Sequence, residues 1–166
     1  LLLVLLIALG VFFHPMTLRF ISKQLVYADR IHFSDIAFVP RFGEDKDGEL
    51  YLAGLEELRR GNVKGLWVEE YNILELSVID ILKKMARQRG LKDDLIKGVK
   101  LPEIEPEKSK VLTELARKAG IKKIVVLVPE YASRRYRILL GNLAEKEPIF
   151  LVNPIRVKFF TQEKWW

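Results

Sequence analysis

Tyr131, Ser133, Arg134 and Arg135 follow closely on the aliphatic run Ile124 to Val128. A guanidinium presents a planar fork of N–H donors that matches a phosphate or carboxylate. If SRRYRILL opens a helix, free backbone N–H groups and the positive end of the macrodipole add to that preference for an anion. The other use of these residues is structural, with one arginine stacked on Tyr131 or paired with a glutamate and the other solvated. Arg41 stands in the equivalent place after another apolar run, DIAFVP. The carboxylates Glu69, Glu70, Glu103, Glu105 and Glu107 could supply a general base or oxygen ligands for a divalent cation, or simply be solvated loop charges.

These residues share one feature, which is that each follows a predicted strand. The strands are expected in DIAFVP, KGLWVEE, LIKGVKL, IKKIVVLV and PIFLVNP. Between them lie helix-period segments. ELYLAGLEELRRG carries Leu52, Leu55 and Leu58, and LELSVIDILKKMARQRG carries Val78, Ile79, Leu82 and Met85; KSKVLTELARKAG and SRRYRILLGNL follow. Gly61, Gly90 and Gly120 sit where left-handed helix ends are expected. Strands alternating with helices imply βαβ units, and an uninterrupted aliphatic strand implies a parallel sheet covered on both faces. The expected fold is α/β, a three-layer sandwich around a mostly parallel, Rossmann-like sheet. In such a sheet the ligand crevice lies beyond the carboxyl ends of the strands, which is where the residues named above fall.

Composition excludes several classes of chemistry. The chain has no cysteine and only two histidines, His14 and His32, so thiolate catalysis, Cys-ligated metals, a His-based triad and a multi-His metal site are not expected. PRFGEDKDG contains neither a dinucleotide-binding nor a P-loop glycine pattern. No cofactor and no metal are expected. The net charge of +6 is spread among charges of both signs rather than gathered in a basic stripe, so nucleic acid is not an expected partner.

The first 13 residues, LLLVLLIALGVFF, carry no charge and begin without a methionine. Three readings fit such a run: part of a longer membrane anchor, the core of a signal peptide, or a buried helix. The anchor is preferred, because no small-residue cleavage site follows and the spacing of Leu18, Ile21 and Leu25 continues a helix. The chain therefore divides into an anchor helix and connector over residues 1–30 and an α/β domain over 31–166.

The order of these elements resembles the SanA/ElyC/YdcF-like family of bacterial α/β domains. SDIAFVP stands at the place of that family's first strand, and LRRGNVKGLWVEE resembles its helix, basic-Gly turn and second strand. MARQRGLKDDLI resembles its helix, Gly and acidic-pair segment, with Leu91 at the usual Val or Ile position. IVVLVPEYASRRYRILL resembles its strand, Tyr-His turn and Arg-containing helix start, and FFTQEKWW its aromatic segment before a last helix that this chain is expected to lack. The family's glycines after the first strand are replaced by PRFG, its Ser-Gly-Gly after the second by EEYN, and the His of its Tyr-His turn by Ala132. Glu107 is the candidate for its carboxylate after the third strand.

The resemblance implies a single-pass protein of the cell membrane with its domain outside the cytoplasm and a role in peptidoglycan or surface-polysaccharide biogenesis. An anionic, phosphorylated glycan precursor would be held by Arg41, Glu107, Tyr131, Ser133, Arg134 and Arg135. The membrane, and proteins within it, are the expected partners. The alternative is a domain that has lost its chemistry and serves as a structural or interaction module in a membrane-associated assembly, its crevice filled by Phe42 and Tyr71 and an apolar patch exposed near Phe159, Phe160, Trp165 and Trp166. No catalytic residue is assigned.

Overall fold

The computed structural model describes residues 14–30, 33–73, 75–141 and 147–158. Helix α1 (Pro15–Leu25) comes first, and its start is a cap rather than a continuation. His14 is extended, its ring accepts a hydrogen bond from Met16 N, and Pro15 follows at the first turn. A proline has no N–H to donate into a preceding turn, so a helix expected to run on from the apolar segment instead starts anew here. Residues 1–13, on which the anchor was read, lie outside the described residues, as does the aromatic segment after Lys158. Among the described residues no helix is long and apolar enough to cross a membrane.

The domain is built on five parallel strands: β1 (Ser34–Val39), β2 (Val63–Glu69), β5 (Ile96–Val99), β6 (Lys123–Pro129) and β7 (Ile149–Ile155). Their order across the sheet is β5-β2-β1-β6-β7, all neighbours being parallel. The chain leaves β1 toward β2 and β5, then returns across it to lay β6 and β7 on the other side. The order reverses beside β1, and this is the Rossmann-like arrangement.

Helices cover both faces. Leu50, Tyr51, Leu55 and Leu58 of α2 (Glu49–Arg59) and Val78, Ile79, Leu82 and Ala86 of α3 (Val78–Gln88) share one core with Ala37 and Val39 of β1, Leu66 and Val68 of β2 and Ile96 of β5. Leu112 and Ala116 of α4 (Glu105–Lys118) and Tyr136 and Leu140 of α5 (Ser133–Gly141) pack on Ile36 and Phe38, the alternate residues of β1. Three expected helix ends are confirmed: Gly61, Gly90 and Gly120 all have positive φ near 70°.

Three local expectations are corrected. Leu52 is not on the core face of α2; the stripe runs through Leu50, Tyr51, Gly54, Leu55 and Leu58, and Leu52 is exposed. Leu76 and Ser77, read as part of the start of α3, instead form β4 (Leu76–Ser77), paired antiparallel with β3 (Asn72–Ile73). Ser77 is extended and its hydroxyl accepts from Ile79 N, so the cap sets the helix start at Val78. Finally, α4 starts at Glu105 rather than Lys108, so Glu107 belongs to its first turn and not to a loop.

The amino ends of three strands are joined by one carboxylate. Asp35 accepts from the N–H groups of Lys122 and Lys123 and from the Lys64 ammonium. Burial pushes its pKa up, but these donors outweigh that and hold it below the ordinary value.

Candidate functional site

The crevice forms where the strand order reverses. One wall is the exit of β1, with Arg41, Phe42, Gly43 and Glu44, and the other is the exit of β6, with Tyr131, Ala132, Arg135 and Tyr136. Its solvent space is about 280 Å³, just below the range of roughly 300–1,000 Å³ for small-molecule sites.

The β1 exit is held in shape by carboxylates on its neighbours and within it. Glu69, the last residue of β2, accepts from Arg41 N at 2.8 Å through one oxygen and from the Lys108 ammonium at 2.6 Å through the other. Asp45 caps α2, accepting from Glu49 N and Leu50 N. The Arg41 guanidinium lies 4.7 Å from the centre of the Tyr71 ring, a cation–π contact. Tyr71 in turn accepts a hydrogen bond from the Tyr51 hydroxyl at 2.9 Å. Burial, then Tyr71 and the nearby Asp45 and Glu69, push the Tyr51 phenol far above its ordinary pKa, so it donates and does not ionise.

On the opposite wall, a single 3-10 turn, Glu130–Ala132, joins β6 to α5. Ala132 at the end of the turn and Ser133 and Tyr136 of α5 are buried, while Arg135 is exposed at the crevice. Arg135 makes no ion pair among the described residues. Tyr131 is half-buried, and burial first, then Glu44 and Asp45, raise its pKa, so the phenol stays neutral and can donate. Phe42 and Tyr136 meet across the floor with ring centres 5.7 Å apart.

Of the six residues read from the sequence, the crevice gathers Arg41, Tyr131 and Arg135. The other three are placed elsewhere. Ser133 is fully buried; its hydroxyl accepts from Tyr27 N at 2.7 Å and donates to Glu130 O at 2.7 Å, with Leu25 O at 3.3 Å. Arg134 donates to the carbonyl and side-chain oxygens of Gln24. Both fasten the end of α1 to the start of α5. Glu107 is exposed on α4 and does not line the crevice.

Lys108, its neighbour, is the residue that the sequence reading missed. It stands four residues before Leu112 and eight before Ala116, on the buried stripe of α4, so helical spacing alone directs it at the sheet. With Glu69 it borders a small apolar cavity between α4 and α5 of about 20 Å³, room for one water. Tyr136 lines both this cavity and the crevice.

The site therefore offers two guanidinium groups and a neutral phenol, with Glu44 as a carboxylate in the same crevice. The two guanidinium groups and the phenol can donate to an anion, which the Glu44 charge opposes, and Ala132 puts no proton-transfer group at the turn. Among the described residues no group of three or more acidic or histidine side chains could hold a metal ion. No protein-family model matches the chain, and no curated protein matches it at a significant level.

Proposed function

We propose that the protein is anchored in the cell membrane by its apolar N-terminal residues, carries its α/β domain outside the cytoplasm, and binds an anionic, phosphorylated glycan precursor in envelope polysaccharide biogenesis. The observation that carries the binding role is the placement of Arg41, in the loop after β1, and Arg135, in the first turn of α5, on the two walls of the switch-point crevice. The 13-residue uncharged run and the ordered resemblance to envelope α/β domains support the location. Calorimetric titration of inorganic pyrophosphate and a sugar 1-phosphate into the protein tests the site. Wild type should bind and an Arg41→Ala, Arg135→Ala double variant should not; equal binding by both removes the site.

Specific observations favour a second reading, a structural or interaction module. Ser133 and Arg134 are committed to holding α1, and the Phe42 and Tyr136 rings close the crevice floor. On that reading neither anion binds to wild type.

A further inference from the structure

We propose that α1 lies on an anionic membrane surface, with Met16 and Phe20 in the acyl boundary and Arg19 and Lys23 among the headgroup phosphates. The proposal rests on the membrane reading of residues 1–13 given above, and adds a second contact made by the folded domain itself.

Helix α1 is two-faced. Ser22 is fully buried, and Ile21 and Leu25 are half-buried on the same side, where the helix meets α5 and the turn before it. At 3.6 residues per turn, two residues are about 200° apart, so Phe20 points away from Ser22, and Met16 stands one turn before Phe20. These are the two most exposed large apolar side chains among the described residues, at 72% for Met16 and 65% for Phe20. Arg19 and Lys23 line one edge of this pair and are exposed. Exposed apolar side chains with a basic edge are the pattern of a helix lying in the plane of an interface, where long cationic side chains reach up to phosphates.

Isolated exposed apolar residues are ordinary on a protein surface. What singles these out is their place in the chain: His14 alone separates α1 from 13 uncharged residues. Each residue spans at most about 3.6 Å, so a bilayer holding the run would keep the first turn of α1 within about 10 Å of its surface. The extended backbone at His14 and the missing N–H of Pro15 let α1 leave the direction of the preceding chain. Because Ser133 and Arg134 fasten α1 to α5, the adjacent Arg135 and its crevice are then held close to the headgroup layer.

The absence of cysteine makes the test direct. Nitroxide labels are placed on full-chain Met16→Cys, Phe20→Cys and, as a remote exposed control, Lys84→Cys. Each is reconstituted with vesicles of phosphatidylcholine and phosphatidylglycerol, checked by flotation, and probed by relaxation with oxygen and with a water-soluble nickel complex. The labels at 16 and 20 should show an oxygen-to-nickel ratio severalfold above that at 84. Ratios equal to the control in protein that floats would overturn the proposal while leaving the anchor intact. Labels shielded from both reagents would show a protein contact and overturn it equally. Protein that does not float would remove the anchor reading and this proposal together, whatever the anion titrations show.

Discussion

The Lys108 ammonium and the Glu69 carboxylate meet at 2.6 Å in a pair whose side chains are 17% and 8% exposed. The same carboxylate receives Arg41 N, so the pair also fixes the backbone from which Arg41 projects. Removing one partner from such a pair leaves the other charge buried, which costs about 3–5 kcal/mol. Lys108→Met should lower the urea-unfolding free energy by about that amount. Lys108→Met with Glu69→Gln should cost clearly less than the sum of the single changes. Additive losses would mean that the two side chains do not act as a pair.

Ser133→Ala separates a structural serine from a ligand-binding one. The hydroxyl is the acceptor for Tyr27 N in a buried place, and an unpaired buried donor costs about 1–3 kcal/mol. The variant should exchange the Tyr27 amide with solvent markedly faster. Pyrophosphate titration should be unchanged, because the hydroxyl does not line the crevice.

Gly54→Ala sets two effects against each other. Alanine is favoured over glycine inside a helix by about 1 kcal/mol. A Cβ at position 54, however, would lie 2.8 Å from Leu66 Cδ1 and 3.3 Å from Leu66 Cδ2 and Val39 Cγ2. All three atoms belong to fully buried side chains, and overpacking a full core costs about 1–3 kcal/mol. Packing should win, so thermal denaturation should show a lower Tm than wild type. An unchanged or raised Tm would mean that α2 can shift off the sheet.

The parallel sheet and its cover on both faces are legible in the sequence, and the crevice partly so. An aliphatic run such as Ile124 to Val128 has no alternation, so it needs cover on both faces, and this forces helices on both sides of a parallel sheet. Strand ends then locate Arg41, Tyr131 and Arg135. Direction is harder to read. Arg134 and Arg135 are adjacent, and only the helical phase of α5, fixed by burial of Ser133, Tyr136 and Leu140, separates one that reaches Gln24 from one that lines the crevice. Lys108 escaped because a lysine on an apolar stripe reads as an interruption until the facing Glu69 is known. The β3–β4 hairpin escaped for a related reason: Leu76 at helical spacing mimics core, yet it is exposed.

Asp35 should give the fold an acid limb. Its folded pKa is depressed, so its contribution is fully present above the unfolded value, near 3.9, and is lost as pH falls through the lower folded value. Urea midpoints measured from pH 6 downward should therefore fall less steeply below about pH 4 in Asp35→Asn than in wild type. At neutral pH the variant should be the less stable, because a neutral amide replaces the acceptor of two N–H bonds and the Lys64 pair. Parallel pH profiles would remove Asp35 as a source of the acid limb.

Glu44 supplies a test of the crevice that does not remove a guanidinium. Its carboxylate shares the space with Arg41 and Arg135, and it is one of the charges that raise the Tyr131 pKa. An entering anion meets repulsion from that charge. At partly screened separations inside a crevice this is worth about 1 kcal/mol, or roughly fivefold in affinity. Glu44→Gln should therefore tighten pyrophosphate binding by about that factor, with the gain shrinking as salt is added. The same change withdraws a negative charge from the phenol, so the Tyr131 pKa should move down toward its ordinary value. A Tyr131→Phe background identifies that step in an ultraviolet titration. If the phenol responds and the affinity does not, then Glu44 lies against Tyr131 but outside the path of the anion, and Arg41 and Arg135 are not binding it in this crevice.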